Sequence, residues 1–125
     1  MIFITEDLAQ QGGSCPVCGK MFRPNGIGPQ DIPELATMLN NLPTSHVLKY
    51  GCNFHDWGYH FGVSVNDRKE ADELMYAKNK WKIGACVKWY SRPFYHAANY
   101  RNYWFVRTFG AKFFGKDGCK AERPA

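Results

Sequence analysis

His55 and Asp56 stand side by side in the run Cys-Asn-Phe-His-Asp-Trp-Gly-Tyr over residues 52–59; Tyr59 follows four residues after the histidine, and Asp72 comes after a short turn. Imidazole titrates nearest to neutral pH and is the natural proton acceptor of a protein, while a carboxylate can orient it or hold a cation. On a helix each residue advances about 100°, so His55 and Asp56 point in different directions and can serve different purposes. His55 and Tyr59 share a face. Asp72, about one turn into a second, antiparallel helix, can come back opposite His55. There it can hold the imidazole in one tautomer and stabilise its protonated form, leaving the other ring nitrogen to take a proton from water. Asp56, aimed elsewhere, is left to bind a cation. Each residue alone also has a plainer account: a helical histidine among aromatics is commonly a buried, hydrogen-bonded core residue, and Asp56 can pair with Arg68 or Lys69.

Two helices must position these groups. Thr44 or Ser45 can cap the first, which runs to about Phe61 with Leu48, Cys52, His55 and Tyr59 near one stripe before Gly62 stops it. Asn66 or Asp67 can cap the second, from about Arg68 to Ile83, with Glu70 at the capping-box spacing from Asp67. Ala71, Leu74, Met75, Lys78 and Trp81 are spaced for packing along it. The turn between is short, so the two helices run antiparallel. Upstream, residues 19–30 are punctuated by Gly, Pro and Asn and read as a loop, and Asp31 to Asn40 as a short helix. Downstream, residues 85–90 fit either an extended segment or a helix end. Ser91-Arg92-Pro93 opens a further helix in which Phe94, Ala97, Ala98, Arg101, Trp104, Phe105, Thr108 and Phe109 recur at helical spacing, with Gly110 to break it. The reading is one mainly α domain spanning residues 1–125: an N-terminal segment to residue 21, a central part over 22–85 and a basic, aromatic part from 86 onwards.

The central pieces resemble a known family. Cys52 to Tyr59 resembles the C-x-x-H-D-x-x-Y helix of the secreted phospholipase A2 superfamily, and Ala71-Asp72-Glu73-Leu74-Met75-Tyr76 resembles its second helix. Arg23-Pro24-Asn25-Gly26-Ile27-Gly28-Pro29 resembles the glycine-rich calcium loop, nearest to the group XII enzymes and the parvovirus capsid phospholipase domain. The pieces come in the family's order and cover about half the chain, roughly residues 22 to 85. The resemblance implies a phospholipase A2-like fold: two antiparallel catalytic helices with a calcium loop, here with an additional C-terminal helix. It implies Ca2+ held by Asp56 and by the main-chain carbonyls of Pro24, Gly26 and Gly28, oxygen ligands of the kind that ion takes. It implies hydrolysis of the sn-2 ester of a glycerophospholipid by water activated at His55, with Asp72 orienting the ring and Tyr59 and Tyr76 bonding the Asp72 carboxylate. A bond between Cys52 and Cys86 is also implied, given an oxidising compartment. The chain departs from the family in its few cysteines, in Gly51 before Cys52 and in Ile27 within the loop.

Composition frames the partners. Residues 1–77 hold 5 Lys or Arg and 9 Asp or Glu, whereas residues 78–125 hold 11 and 2, a local excess of +9, together with 12 of the 20 aromatics. A basic, aromatic surface suits an anionic phospholipid membrane or, as the lesser alternative, nucleic acid; core aromatics beneath a solvated basic face are the plainer account. Five cysteines make no closed disulfide set. Cys15-Pro-Val-Cys18 is half of a zinc knuckle, and a disulfide or thiols fit the same residues. With the basic C-terminal part, it leaves a small zinc-dependent nucleic-acid-binding protein as the rival reading. An inactive phospholipase-like domain that binds lipid or Ca2+ is the other. No apolar run is long enough to span a membrane, and the N-terminus lacks the basic-then-apolar pattern of a signal peptide. The chain is therefore expected in the cytoplasm, exported by an unconventional route, or seen without a leader.

Overall fold

The computed structural model describes residues 5–16, 19–24, 44–61, 65–112 and 114, and these are mainly helical. A short helix α1 (Glu6–Gln11) leads into a two-stranded antiparallel hairpin, β1 (Gly13–Ser14) and β2 (Met21–Phe22), with Gly13 opposite Phe22. Three longer helices follow: α2 (Ser45–Phe61), α3 (Val65–Cys86) and α4 (Arg92–Phe109), with 3-10 turns at Trp89–Ser91 and Gly110–Lys112. The expected short helix over residues 31–40 lies outside the described residues.

Local chemistry explains α1, which the sequence reading did not separate from the N-terminal segment. The Thr5 hydroxyl accepts from the Leu8 amide at 3.3 Å, Glu6 and Asp7 sit where the helix dipole favours negative charge, and Gly12 closes the helix at φ 80°. The hairpin then turns through Cys15, whose amide donates to Lys20 at 2.8 Å and whose carbonyl accepts from Gly19 at 2.9 Å.

The core is built around α2. Its inner residues are buried on nearly all sides, with His46 and Lys49 exposed and Asp56 half-buried. On one side Tyr50, Phe54 and Trp57 pack with Ala9 and Cys15 under α1 and the hairpin. The Trp57 indole N–H donates to the Leu8 carbonyl at 3.0 Å, and the Asn53 amide donates to Gln10 at 2.7 Å. On the other side Val47, Leu48 and Cys52 meet Met75 and Ile83 of α3, Val87, and Ala98 of α4.

Two glycines let α2 and α3 approach. A Cβ at Gly58 would lie 2.6 Å from that of Ala71, and one at Gly51 would lie 2.5 Å from the Met75 carbonyl oxygen. The Gly51 amide instead donates to Asn79 Oδ1 at 2.7 Å. Small residues at these two levels therefore set the distance across which the facing side chains of α2 and α3 meet.

Three boundaries differ from expectation. α3 begins at Val65, so Asn66 and Asp67 fall inside its first turn rather than capping it. It also runs past Ile83 and Gly84 to Cys86, because Ile83 and Val87 both reach the core and the Val87 amide continues the helical ladder to Ile83. The Arg92 guanidinium then bonds the carbonyls of Val87 at 3.0 Å and Gly84 at 3.2 Å, satisfying the open end of α3 while Pro93 starts α4. The third difference is the phase of α4. Of the residues at the expected helical spacing only Ala98 is buried, and the inward face is Tyr95, Ala98, Asn99, Asn102, Tyr103 and Val106. This phase lets the Asn99 amide donate to the Tyr76 carbonyl at 3.1 Å and stacks the Tyr103 and Tyr76 rings 5.2 Å apart.

The implied Cys52–Cys86 bond is not formed. Both are thiols: Cys52 is buried beside Asn79, whereas Cys86 is exposed seven residues further along α3, a rise of about 10 Å. No described helix is long and apolar enough to cross a membrane.

Candidate active site

His55 and Asp72 are brought into direct contact. His55 lies midway along α2 and Asp72 two turns into α3, and the close α2–α3 approach puts His55 Nε2 2.6 Å from Asp72 Oδ1. The Tyr59 hydroxyl, one turn after His55 on the same face of α2, donates to the same oxygen at 2.8 Å. The two rings of α2 stack at 4.0 Å between centroids, so each limits the rotation of the other. Asp72 is wholly buried.

An ionised carboxylate without solvent must have its lone pairs met. Here the second oxygen is met from α4: Arg107 Nη1 donates to Oδ2 at 2.8 Å, and Arg68 Nη1 stands 3.7 Å from it while donating to the Val106 carbonyl at 3.1 Å. Burial raises the Asp72 pKa, but the hydrogen bond and charge of His55, with the bonds from Tyr59 and Arg107, outweigh it and hold the carboxyl below its usual range. Asp72 is therefore an anion at neutral pH, and an anionic carboxylate only accepts hydrogen bonds. In the neutral form of the ring, His55 Nε2 therefore carries the proton and Nδ1 the lone pair. The Tyr59 hydroxyl is pushed well above its ordinary value by burial and by the Asp72 charge, so it stays a donor.

Arg107 was not among the residues singled out from the sequence, and Arg68 entered there only as a partner for Asp56. Arg68 sits four residues before Asp72, a spacing at which opposite charges meet on a helix, and this signal was legible although the pairing was assigned to Asp56. Arg107 lies 35 residues away. It is found only from the phase of α4, where it follows Asn99 and Tyr103 down the inward face. Gly110 completes the arrangement: a Cβ there would collide with the Tyr59 hydroxyl and lie 3.2 Å from Arg68 Nη1.

Tyr76 does not join the site. Its ring packs on Tyr103, and the described partners of Asp72 are His55, Tyr59, Arg68 and Arg107. Tyr76 follows Asp72 by four residues on α3, one turn further along, where its ring meets Tyr103 instead. Asp56 is half-buried next to His55, and its negative charge, after burial itself, helps push the Cys52 thiol up. Pro24 ends the second described segment, and Gly26 and Gly28 lie outside the described residues, as does Cys18. Cys15 is buried in the core between α1 and α2. Among the described residues no three His, Cys, Asp or Glu side chains gather as a metal site. Asp56 and the Pro24 carbonyl are oxygen donors of the type that suits Ca2+ rather than a soft metal.

The arrangement can hold one neutral imidazole in a fixed tautomer, with a buried carboxylate behind it to stabilise its protonated form. Compared with known protein families, curated proteins and solved structures, the chain matches none.

Proposed function

We propose that the chain is a calcium-dependent, phospholipase A2-like hydrolase that cleaves the sn-2 ester of glycerophospholipids. The observation that carries this reading is the 2.6 Å contact between His55 Nε2 and the buried Asp72 carboxylate, which fixes Nδ1 as the basic nitrogen. The sequence resemblance supplies the substrate class. In this reaction Nδ1 of His55 takes a proton from water, and the water oxygen attacks the ester carbonyl carbon. Asp72 stabilises the imidazolium through Nε2–H, and Tyr59 holds the carboxylate oxygen that does so. The proton then passes from Nδ1 to the leaving glycerol oxygen as the tetrahedral intermediate collapses to lysophospholipid and fatty acid. Asp56 and the Pro24 carbonyl would hold Ca2+, with Gly26 and Gly28 of the adjoining loop; bound there, the ion supplies charge stabilisation for phosphate and oxyanion.

A second reading is favoured by Arg107 and Arg68. Two guanidiniums beside Asp72 Oδ2 offset much of the charge that would stabilise a protonated His55, and a buried network joining three helices is also what a purely structural cluster looks like. On that reading the domain binds lipid or Ca2+ without turnover. Fatty-acid release from mixed phospholipid vesicles, with Ca2+ or with EGTA, separates the two. The hydrolase reading expects Ca2+-dependent release that His55→Gln lowers by about 10²–10⁴-fold. Wild-type release no greater than that of His55→Gln sinks it.

A further inference from the structure

We propose that the outward face of α4 is a docking surface for an anionic lipid membrane. Helices of folded domains normally turn their large apolar side chains inward. Here the inward face does so with Tyr95, Ala98, Tyr103 and Val106 beside Asn99, Asn102 and Arg107, yet Phe94, Trp104, Phe109 and Phe105 on the outward side are also large and apolar and are 63%, 55%, 43% and 36% exposed. The Trp104 and Phe105 rings both contact Phe109, at 6.1 and 5.1 Å between centroids, so the three form one apolar projection rather than scattered residues.

Along the chain that carries this projection the charge has one sign. No Asp or Glu occurs from residue 74 to residue 112. Among the described residues Arg101, on the same face, bonds the neutral Asn102 side chain, at 3.2 and 3.3 Å, and carries its charge on the exposed side of the helix. Exposed Trp and Phe beside arginine on a helix lying along the surface is the pattern that seats in the boundary between headgroups and acyl chains. Nucleic acid is the weaker match, because bases stack on open ring faces and these rings meet one another at 81° and 51°. A second copy of the chain is weaker still, since a two-fold contact would set Arg101 and its basic neighbours in sequence against their own copies.

The proposal deepens the lipid-hydrolase reading and takes its biological sense from it, but binding is read without turnover. Sedimentation with vesicles of phosphatidylcholine, with and without phosphatidylglycerol, in EGTA provides the test. Binding to the phosphatidylglycerol vesicles, weakened by NaCl, is expected. Trp104→Ala/Phe105→Ala should lower the partition coefficient by more than about tenfold, and Arg101→Glu by at least about fivefold. A Trp81→Phe/Trp89→Phe variant leaves Trp57, which is buried, and Trp104; its emission should shift to the blue on these vesicles. This spectral readout and Arg101→Glu stand even if the double alanine variant fails to fold. Absent binding, or binding that none of these substitutions changes, overturns the proposal. So does single-stranded DNA binding, or dimerisation by sedimentation velocity, that depends on Trp104 and Phe105 while vesicles are ignored. Vesicle binding without ester hydrolysis in Ca2+ would defeat the hydrolase reading and leave the docking face standing. Hydrolysis of dispersed short-chain phospholipid without vesicle binding would do the reverse.

Discussion

At the residue scale the site is governed by one wholly buried carboxylate, three hydrogen-bonded partners and a fourth, cationic neighbour. Oδ1 accepts from an imidazole and a phenol on α2, and Oδ2 faces two guanidiniums held by α3 and α4. Each donor lowers the cost of keeping a negative charge out of water. Removing one oxygen's charge should therefore be felt strongly: Asp72→Asn is expected to lose about 2–4 kcal/mol in urea unfolding, below the full buried-pair penalty because Arg107 is partly solvated. Tyr59→Phe deletes a single bond to a charged acceptor and should cost about 1.5 kcal/mol with a modest fall in hydrolysis. Asp56→Asn is the informative contrast. It is not among the described partners of Asp72, so the expectation is a smaller loss of melting midpoint than in Asp72→Asn, with Ca2+-dependent fatty-acid release abolished; a midpoint loss equal to that of Asp72→Asn would assign Asp56 to structure.

At the scale of elements, the geometry of the candidate site depends on how close α2 comes to α3. Gly58 and Ala71 fix that distance at one level and Gly51 and Asn79 at another. Gly58→Ala is expected to destabilise the fold by about 1–3 kcal/mol through overpacking. Adding Ala71→Gly should recover part of that loss even though glycine within a helix costs about 1 kcal/mol by itself. A double-mutant cycle read by urea unfolding checks this, and additive losses would show that the two residues do not in fact bear on each other. The pairing of α2 with α3 was legible in the sequence, because the short turn and the histidine-to-aspartate spacing agree. The orientation of α4 was not. Its aromatics mark helical periodicity equally well whether they face in or out, and only the polar surface that α3 presents at Tyr76 decides that Asn99 faces inward and Trp104 does not.

At the scale of the whole molecule, charge is divided along the chain, with the basic and aromatic excess confined to the part after residue 77. α4 uses it on both sides, Arg107 inward on Asp72 and Arg101 outward. The depressed Asp72 pKa also ties global stability to acidity. A carboxyl whose folded value lies below its unfolded value of about 3.9 adds stability that is fully present above the unfolded value and lost as pH falls through the folded one. Urea midpoints should therefore hold steady from neutral pH to about 5 and drop steeply below about 4. The drop should be shallower in Asp72→Asn, and identical slopes would mean that other carboxylates carry the acid sensitivity.

The sequence by itself determined the long helices, the facing positions of His55, Tyr59 and Asp72, and the charge imbalance, because periodicity, turn length and composition are local properties of the chain. Tertiary structure alone decided the rest. Tyr76 turns to Tyr103, Cys52 and Cys86 lie apart, Arg107 reaches a carboxylate 35 residues away, and α4 leaves its aromatics in solvent. Each of these depends on how one helix is turned about its own axis, or set along it, against its neighbours. That placement is set by the sum of contacts across the interface, and no spacing along the chain encodes it.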